Sequence, residues 1–264
     1  MKELFDYLTS SWWGILIIIT VALTLLILLS AVLYRQFFKR FYDILLSAIG
    51  ILIISPILLV LIVLGAIKMK GNPFFAQLRP GKINKKTGKE RIFKLIKFRT
   101  MTCEKDADGN FLPDEQRLNK YGRMLRSTSL DELPELFNIF LGHMSIVGPR
   151  PQLVRDMVFM TDEVRVRHTV RPGLTGLAQV NGRNNITWEQ KFLWDKKYVE
   201  KISLFGDISI LIKTVLKVLK RSDVEREGTV SDIDYGDWLL QENKVTKEEY
   251  DEKQKLAKEL IECK

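Results

Sequence analysis

Two long apolar runs joined by the short basic link YRQFFKR constrain this chain more than any other feature. Residues 12–33 hold 22 amino acids without a charge. As a helix that is about 33 Å at roughly 1.5 Å per residue, which matches a hydrocarbon core of about 30 Å. The run reads as a retained transmembrane helix and not a cleaved leader, because Lys2 is offset by Glu3 and Asp6 and the run is long. Arg35, Lys39 and Arg40 follow at once, which places the N-terminus outside and the rest of the chain inside.

The second run, residues 41–67, is 27 residues long and carries Asp43 as its only charge. Basic residues flank it on both sides, so a spanning helix would leave one flank on the wrong face. Ser55 and Pro56 lie at its middle. Proline removes a backbone donor, and a neighbouring serine hydroxyl can bond the carbonyl that is freed. Two arms of about 12 to 15 residues, each too short to cross alone, predict a re-entrant helix-break-helix. A kinked spanning helix is the competing reading.

Charge narrows the partners. Fourteen Lys or Arg against two acids between residues 35 and 99 make a basic surface beside the apolar runs, suited to anionic headgroups or a phosphate-rich ligand. Nucleic acid is disfavoured, since no helix-turn-helix, zinc spacing or aromatic RNA motif accompanies the charge. Two cysteines and two histidines argue against a disulfide framework, a thiolate zinc site or a multi-histidine metal centre. Carboxylates are the better candidates for catalysis.

Beyond the membrane segments, residues 72–101 read as a β-hairpin around NKKTGK, and DADGNFLPDE as a loop. Helices are expected near residues 115–126 and 130–141, with Ser129 as N-cap of an SLDE capping box. VGPRPQ and RPGLTG read as turns. DISILIKTVLKVLKR is an amphipathic helix, either lying at headgroup level or, as periodicity alone slightly favours, an ordinary surface helix. The last segment reads as a charged helix or tail without visible chemistry.

The informative stretch is RSTSLDELPELFNIFLGHMSIVGPRP. Adjacent Asp131 and Glu132 on a helix can divide labour between a reacting atom and a Mg²⁺ ion, a hard cation that takes oxygen ligands and substrate phosphates. Alone the pair is a weak signal, better explained as an acidic helix start that favours the dipole. Arg126 upstream, Arg150 between two prolines and Arg171 opening a proline-glycine turn add guanidinium groups suited to phosphate, and together they suggest phosphoryl chemistry.

Here the sequence resembles the monotopic polyprenyl-phosphate phosphoglycosyl transferases, the initiating bacterial sugar transferases, over residues 39–228. KRFYD, the SP of the apolar run, QLRPG, FKLIKFRTM, SLDELPELFN, MSIVGPRP, RPGLTGLAQVNGRN and VLKRSDVEREG carry the resemblance in order. It implies a mainly α fold with a small β-hairpin: a membrane protein with one transmembrane helix, a re-entrant helix bent at Ser55 and Pro56, and a cytosolic catalytic domain with interfacial amphipathic helices. The implied division is residues 1–38 anchor, 39–70 re-entrant helix, 71–228 catalytic domain and 229–264 tail, with the anchor an addition to the smallest relatives.

The resemblance also implies a reaction at the cytosolic face of the bacterial inner membrane. Asp131 attacks the β-phosphorus of a UDP-sugar, UMP leaves, and polyprenyl phosphate then takes the phosphosugar. Glu132 completes the dyad, either as a Mg²⁺ ligand or as a helper in deprotonation, and the implied Mg²⁺ site is Asp131 with Glu132. Lys97, Arg126, Arg150 and Arg171 are expected at the phosphates, and Gln179, Asn181 and Arg183 in the nucleotide-sugar region. Membrane lipids and a second copy of the chain complete the expected partners. The rival readings are a non-catalytic membrane adaptor with a basic surface and a transporter subunit; the first gives no reason for the carboxylate pair and the second has too few spans.

Overall fold

The computed structural model describes residues 11–182, 186–220 and 233–262. Helix α1 (Trp12–Leu33) starts at Ser11, whose hydroxyl accepts from the Gly14 N–H at 3.0 Å. Its apolar side chains are exposed around most of the helix, as in a helix surrounded by lipid. A π-helical segment, Tyr34–Phe38, turns Tyr34 inward. Its hydroxyl donates to Asp207 Oδ2 at 2.6 Å, where Lys39 Nζ (2.6 Å) also arrives, while Tyr198 bonds Oδ1 (3.0 Å).

Helix α2 (Lys39–Lys68) runs through Pro56 without interruption. The expected helix-break-helix is therefore one helix in its hydrogen bonding. Pro56 has no N–H for the Leu52 carbonyl, and Ser55 Oγ donates to that carbonyl at 2.8 Å. Local satisfaction of the orphan removes much of the penalty that would force a break.

One side of α2 lies against the charged domain from end to end. Near its start Lys39 Nζ donates to the Val147 carbonyl (2.9 Å), Arg40 to the Ile139 carbonyl (2.7 Å), and Asp43 accepts from the Ile146 N–H (2.9 Å). Toward its end Leu58 and Leu61 pack with Phe98, Tyr121 and Leu125, and the Tyr121 hydroxyl donates to the Leu61 carbonyl at 3.0 Å.

The hairpin forms as expected, from antiparallel β1 (Phe74–Ile83) and β2 (Glu90–Phe98) with Phe75 opposite Lys97. The helix expected at 115–126 is split into a single turn, Asp114–Arg117, and α3 (Lys120–Thr128), because Leu118 is extended and Asn119 caps the new start by accepting from the Gly122 N–H at 2.9 Å. Ser129 is not an N-cap. It ends α3 in the left-handed region (φ 56°), its side chain caps nothing, and a 3₁₀ turn, Leu130–Glu132, precedes the short α4 (Glu135–Phe140). Pro134, lacking an N–H, separates the two.

VGPRP and RPGLTG are more than turns. Strands β3 (Ser145–Val147) and β4 (Gly173–Thr175) pair in parallel. Their backbones meet so closely that a Cβ on Gly173 would lie 2.1 Å from the Gly148 nitrogen, which no other residue can accommodate. Helix α5 (Trp188–Glu200) begins with a Thr187–Gln190 capping box, and α6 (Leu204–Lys220) leaves Phe205, Ile212, Val215, Leu216 and Leu219 exposed. An ordinary surface helix would turn that stripe inward. The last segment is not a loose tail: α7 (Tyr235–Gln241) and α8 (Lys247–Glu262) close a cluster of Phe159, Met160, Trp188, Phe192, Tyr235 and Leu239.

Candidate active site

A cleft of about 710 Å³ opens between the hairpin, the 3₁₀ turn and the segment after β3. That volume lies in the range of small-molecule sites. Local sequence explains its walls. On β2, Phe93, Leu95 and Lys97 share one face by the two-residue period, so a lysine follows two core residues inward. Asn138 of α4 holds the strand beside it, donating to the Lys94 carbonyl (2.8 Å) and accepting from the Ile96 N–H (3.0 Å). Leu130 and Leu133 pack into the cluster formed with Leu58 and Leu61 of α2. The apolar helix thereby fixes the turn that carries Asp131 and Glu132.

The two neighbouring carboxylates have opposite environments. Glu132 Oε1 receives Lys97 Nζ at 2.9 Å and Arg150 Nη2 at 2.7 Å. Burial pushes its carboxyl up, but Arg150 and then Lys97 outweigh burial and hold it well below the usual carboxylate range. Asp131 also faces the cleft, yet its carboxyl has no hydrogen-bond or ion-pair partner among the described residues. Burial and then the Glu132 charge push it up to about 6, against the pull of Lys97, Arg150 and Arg126. One carboxylate is committed to structure. The other is presented to whatever occupies the cleft.

Glu135, on the turn below, pairs with Lys97 at 3.0 Å, and burial raises its carboxyl despite that lysine. It was absent from the sequence-derived candidates, although the Glu-x-x-Glu spacing with Glu132 places both on one side of a helical turn. Arg167 was also missed. It is buried, pairs with Asp195 at 2.8 Å, and donates to the Arg150 carbonyl at 2.6 Å, so it holds the backbone of a cleft arginine. No local pattern marks it, because Arg150, Arg167 and Asp195 meet only through the fold. Arg79 enters the cleft from β1, donating to the Pro151 carbonyl at 3.2 Å.

Of the expected phosphate ligands, Lys97, Arg126 and Arg150 line the cleft, with Arg126 Nε donating to Thr100 Oγ1 at 3.1 Å. Arg171 does not. Its Nε donates to the Gly142 carbonyl at 2.9 Å, because the parallel β3–β4 pairing carries it past the cleft toward Arg40. Gln179 lines the cleft, and its Oε1 is buried without a hydrogen-bond partner, an acceptor left for a ligand. Asn181 is turned to the Leu177 carbonyl (2.8 Å) outside the cleft, and Arg183 lies outside the described residues. Ser55 and Pro56 lie in α2, away from the cleft lining.

Among the described residues no three His, Cys, Asp or Glu side chains converge as a metal site. The Asp131 and Glu132 pair nonetheless fits Mg²⁺ that arrives with phosphate ligands. Among the described residues both Asp131 oxygens and Glu132 Oε2 are unengaged, while Lys97 and Arg150 hold only Glu132 Oε1.

Residues 33–221 match the family described as Bacterial sugar transferase. The sugar transferase EpsL of Bacillus subtilis (strain 168) is 45% identical over 195 residues, covering 73% of this chain and 93% of the relative. The UDP-glucose:undecaprenyl-phosphate glucose-1-phosphate transferase of Klebsiella pneumoniae is 38% identical over 190 residues, 68% of this chain and 40% of the relative. The exopolysaccharide production protein ExoY of Rhizobium meliloti (strain 1021) is 35% identical over 195 residues, with 67% and 83% covered. The match thus spans most of the shorter relatives and about two fifths of the longer one. Every cleft residue named above falls inside it.

Proposed function

This chain belongs to the bacterial sugar transferase family, and from that premise we propose that it moves a sugar 1-phosphate from a UDP-sugar to polyprenyl phosphate at the cytosolic face of a bacterial inner membrane. The observation that carries this reading is the unequal dyad. A nucleophile must present an unengaged lone pair, and Asp131 does while Glu132 is held by two cations.

In the first step an Asp131 oxygen attacks the β-phosphorus of the UDP-sugar. The bond from that phosphorus to the bridging oxygen breaks, and UMP leaves with the electron pair. In the second step a polyprenyl phosphate oxygen attacks the same phosphorus, the aspartyl bond breaks, and the carboxylate returns. Arg150 and Lys97 lie beside the dyad, where negative charge collects on the phosphoryl oxygens, and Glu132 keeps both cations oriented before substrate arrives. Mg²⁺ on the diphosphate, with Asp131 and Glu132 as its protein oxygens, supplies neutralisation of the leaving group when bound. Gln179 Oε1 offers an acceptor to the donor nucleotide.

The membrane placement draws support from α2. A 30-residue helix is about 45 Å long, and one that crossed the bilayer would carry an end about 30 Å from a domain on one side. Instead Lys39, Arg40 and Asp43 at one end and Leu61 at the other all bond to that domain. These contacts support a placement with both ends on the inner face, α2 bent but unbroken at Pro56, and α6 lying at headgroup level.

The test is a single-turnover assay with detergent-solubilised enzyme freed of endogenous lipid, a panel of UDP-sugars and Mg²⁺. We expect UMP release up to one equivalent without polyprenyl phosphate, and a phosphosugar adduct on the peptide containing Asp131 that Asp131→Asn lacks. A preparation that turns over with lipid but gives neither burst nor adduct would refute the two-step mechanism.

A further inference from the structure

Arg171, displaced from the cleft, is part of a second set of cations. Arg40 spends its guanidinium on the Ile139 and Phe140 carbonyls at 2.7 and 2.8 Å, while Arg171 gives Nε to the Gly142 carbonyl at 2.9 Å. Both reach the end of α4: a Cβ added to Gly142 would stand 3.2 Å from Arg40 Nη2. The strand register sets Lys82 against Arg91, at the bulge between Pro80 and Ile83. Burial and then Arg171, Lys85, Arg35 and Arg91 push the Lys82 ammonium down, so these four cations lie near it.

Among the described residues none of Arg35, Arg40, Lys82, Lys85, Arg91 and Arg171 forms an ion pair with a carboxylate. The nearby acids are committed elsewhere, Asp43 to Ser145 and Ile146, Glu90 to Arg165 and His168. Like charges gathered without counter-ions repel, and an incoming anion relieves that repulsion. Exposed Phe37, Phe41, Phe140 and Leu141 border the cluster at the junction of the two apolar helices, so the anion it meets carries an apolar body. None of the six cations lines the catalytic cleft.

We propose that this cluster binds the phosphate headgroups of anionic phospholipids in the leaflet on which the domain sits. The proposal rests on the membrane placement argued above but not on the covalent mechanism. Bound there, the headgroups set the height and tilt of the cleft relative to the bilayer surface.

The experiment uses the full chain, extracted from bilayers of equal phosphatidylglycerol and phosphatidylcholine, with retained lipids counted by native mass spectrometry. Wild type should keep phosphatidylglycerol over phosphatidylcholine. Lys82→Gln with Arg91→Gln should cut that preference about 25-fold, since each surface cation is worth about fivefold toward an anionic leaflet. The same double variant should release UMP from the UDP-sugar in detergent at the wild-type rate, which also verifies its fold. Equal retention of the two lipids by wild type, or unchanged preference in the variant, would overturn the proposal. So would displacement of phosphatidylglycerol by stoichiometric polyprenyl phosphate, which would assign the cluster to the acceptor. Wild type that keeps phosphatidylglycerol but never releases UMP would refute the proposed function and leave this site standing.

Discussion

Replacing Asp131 by Asn should abolish turnover and stabilise the protein, with a pH dependence that identifies the cause. Burial and the Glu132 charge push the Asp131 carboxyl up to about 6 in the folded chain, against about 3.9 in an unfolded one. At about 1.36 kcal/mol for each pH unit of that gap, the ceiling is about 3 kcal/mol of stability forgone above pH 6. Solvent in the cleft brings this to about 1 to 2 kcal/mol. The folded state binds more protons than the unfolded state between the two values, so stability falls as pH rises from about 4 to about 6 and stays low beyond. The amide never ionises and escapes that loss. In a thermal unfolding assay in detergent, Asp131→Asn should melt about 2 to 8 °C above wild type at pH 8, with the gain shrinking to nothing near pH 4. The kcat/KM profile of wild type should fall on the acid side with an apparent pKa near 6. A variant that melts at or below wild type at pH 8, or gains equally at both pH values, would refute the idea that a strained, unpaired carboxylate waits in the cleft.

Other variants probe the rest of the assembly. Arg150→Lys keeps the charge but loses the planar fork facing Glu132 Oε1, so activity should fall at least tenfold while the melting temperature moves little; near-normal kcat/KM would remove Arg150 from phosphate binding. Tyr235→Ala opens the cluster against Trp188, Phe192 and Phe159 and should cost about 3 to 5 kcal/mol, read as a lower denaturation midpoint; a neutral result would mean that α7 does not close the domain. For topology, single cysteines at Gln36 and Asn72, with the native cysteines removed, should both resist an impermeant reagent in intact cells. Labelling at Asn72 alone would show that α2 spans.

Features governed by composition and short spacing were legible in the amino-acid sequence. An uncharged run of 22 residues has no stable place except lipid or a large core, and alternating side chains with a polar turn between them make a hairpin. The sequence also singled out Asp131, Glu132, Lys97, Arg126 and Arg150, which the fold brings to one cleft, because ordered motifs over most of the chain carry residue identities directly. Ser55 was legible as the partner of the carbonyl freed by Pro56, but the uninterrupted path of α2 was not, since whether a proline breaks a helix depends on what packs beside it.

Which carboxylate is free depends on the fold. Asp131 and Glu132 are chemically alike and adjacent; the difference arises because Lys97 comes from a strand 35 residues away in sequence and Arg150 from a turn 18 residues away, both converging on one oxygen of Glu132. The same holds for Arg171, which opens a stiff proline-glycine turn as a phosphate ligand could but is carried out of the cleft by the β3–β4 pairing. Ser129 reads as a cap until its φ of 56° shows that α3 ends there. Long-range electrostatics and backbone direction depend on distances that a linear pattern does not contain, so the division of labour within the dyad belongs to the fold.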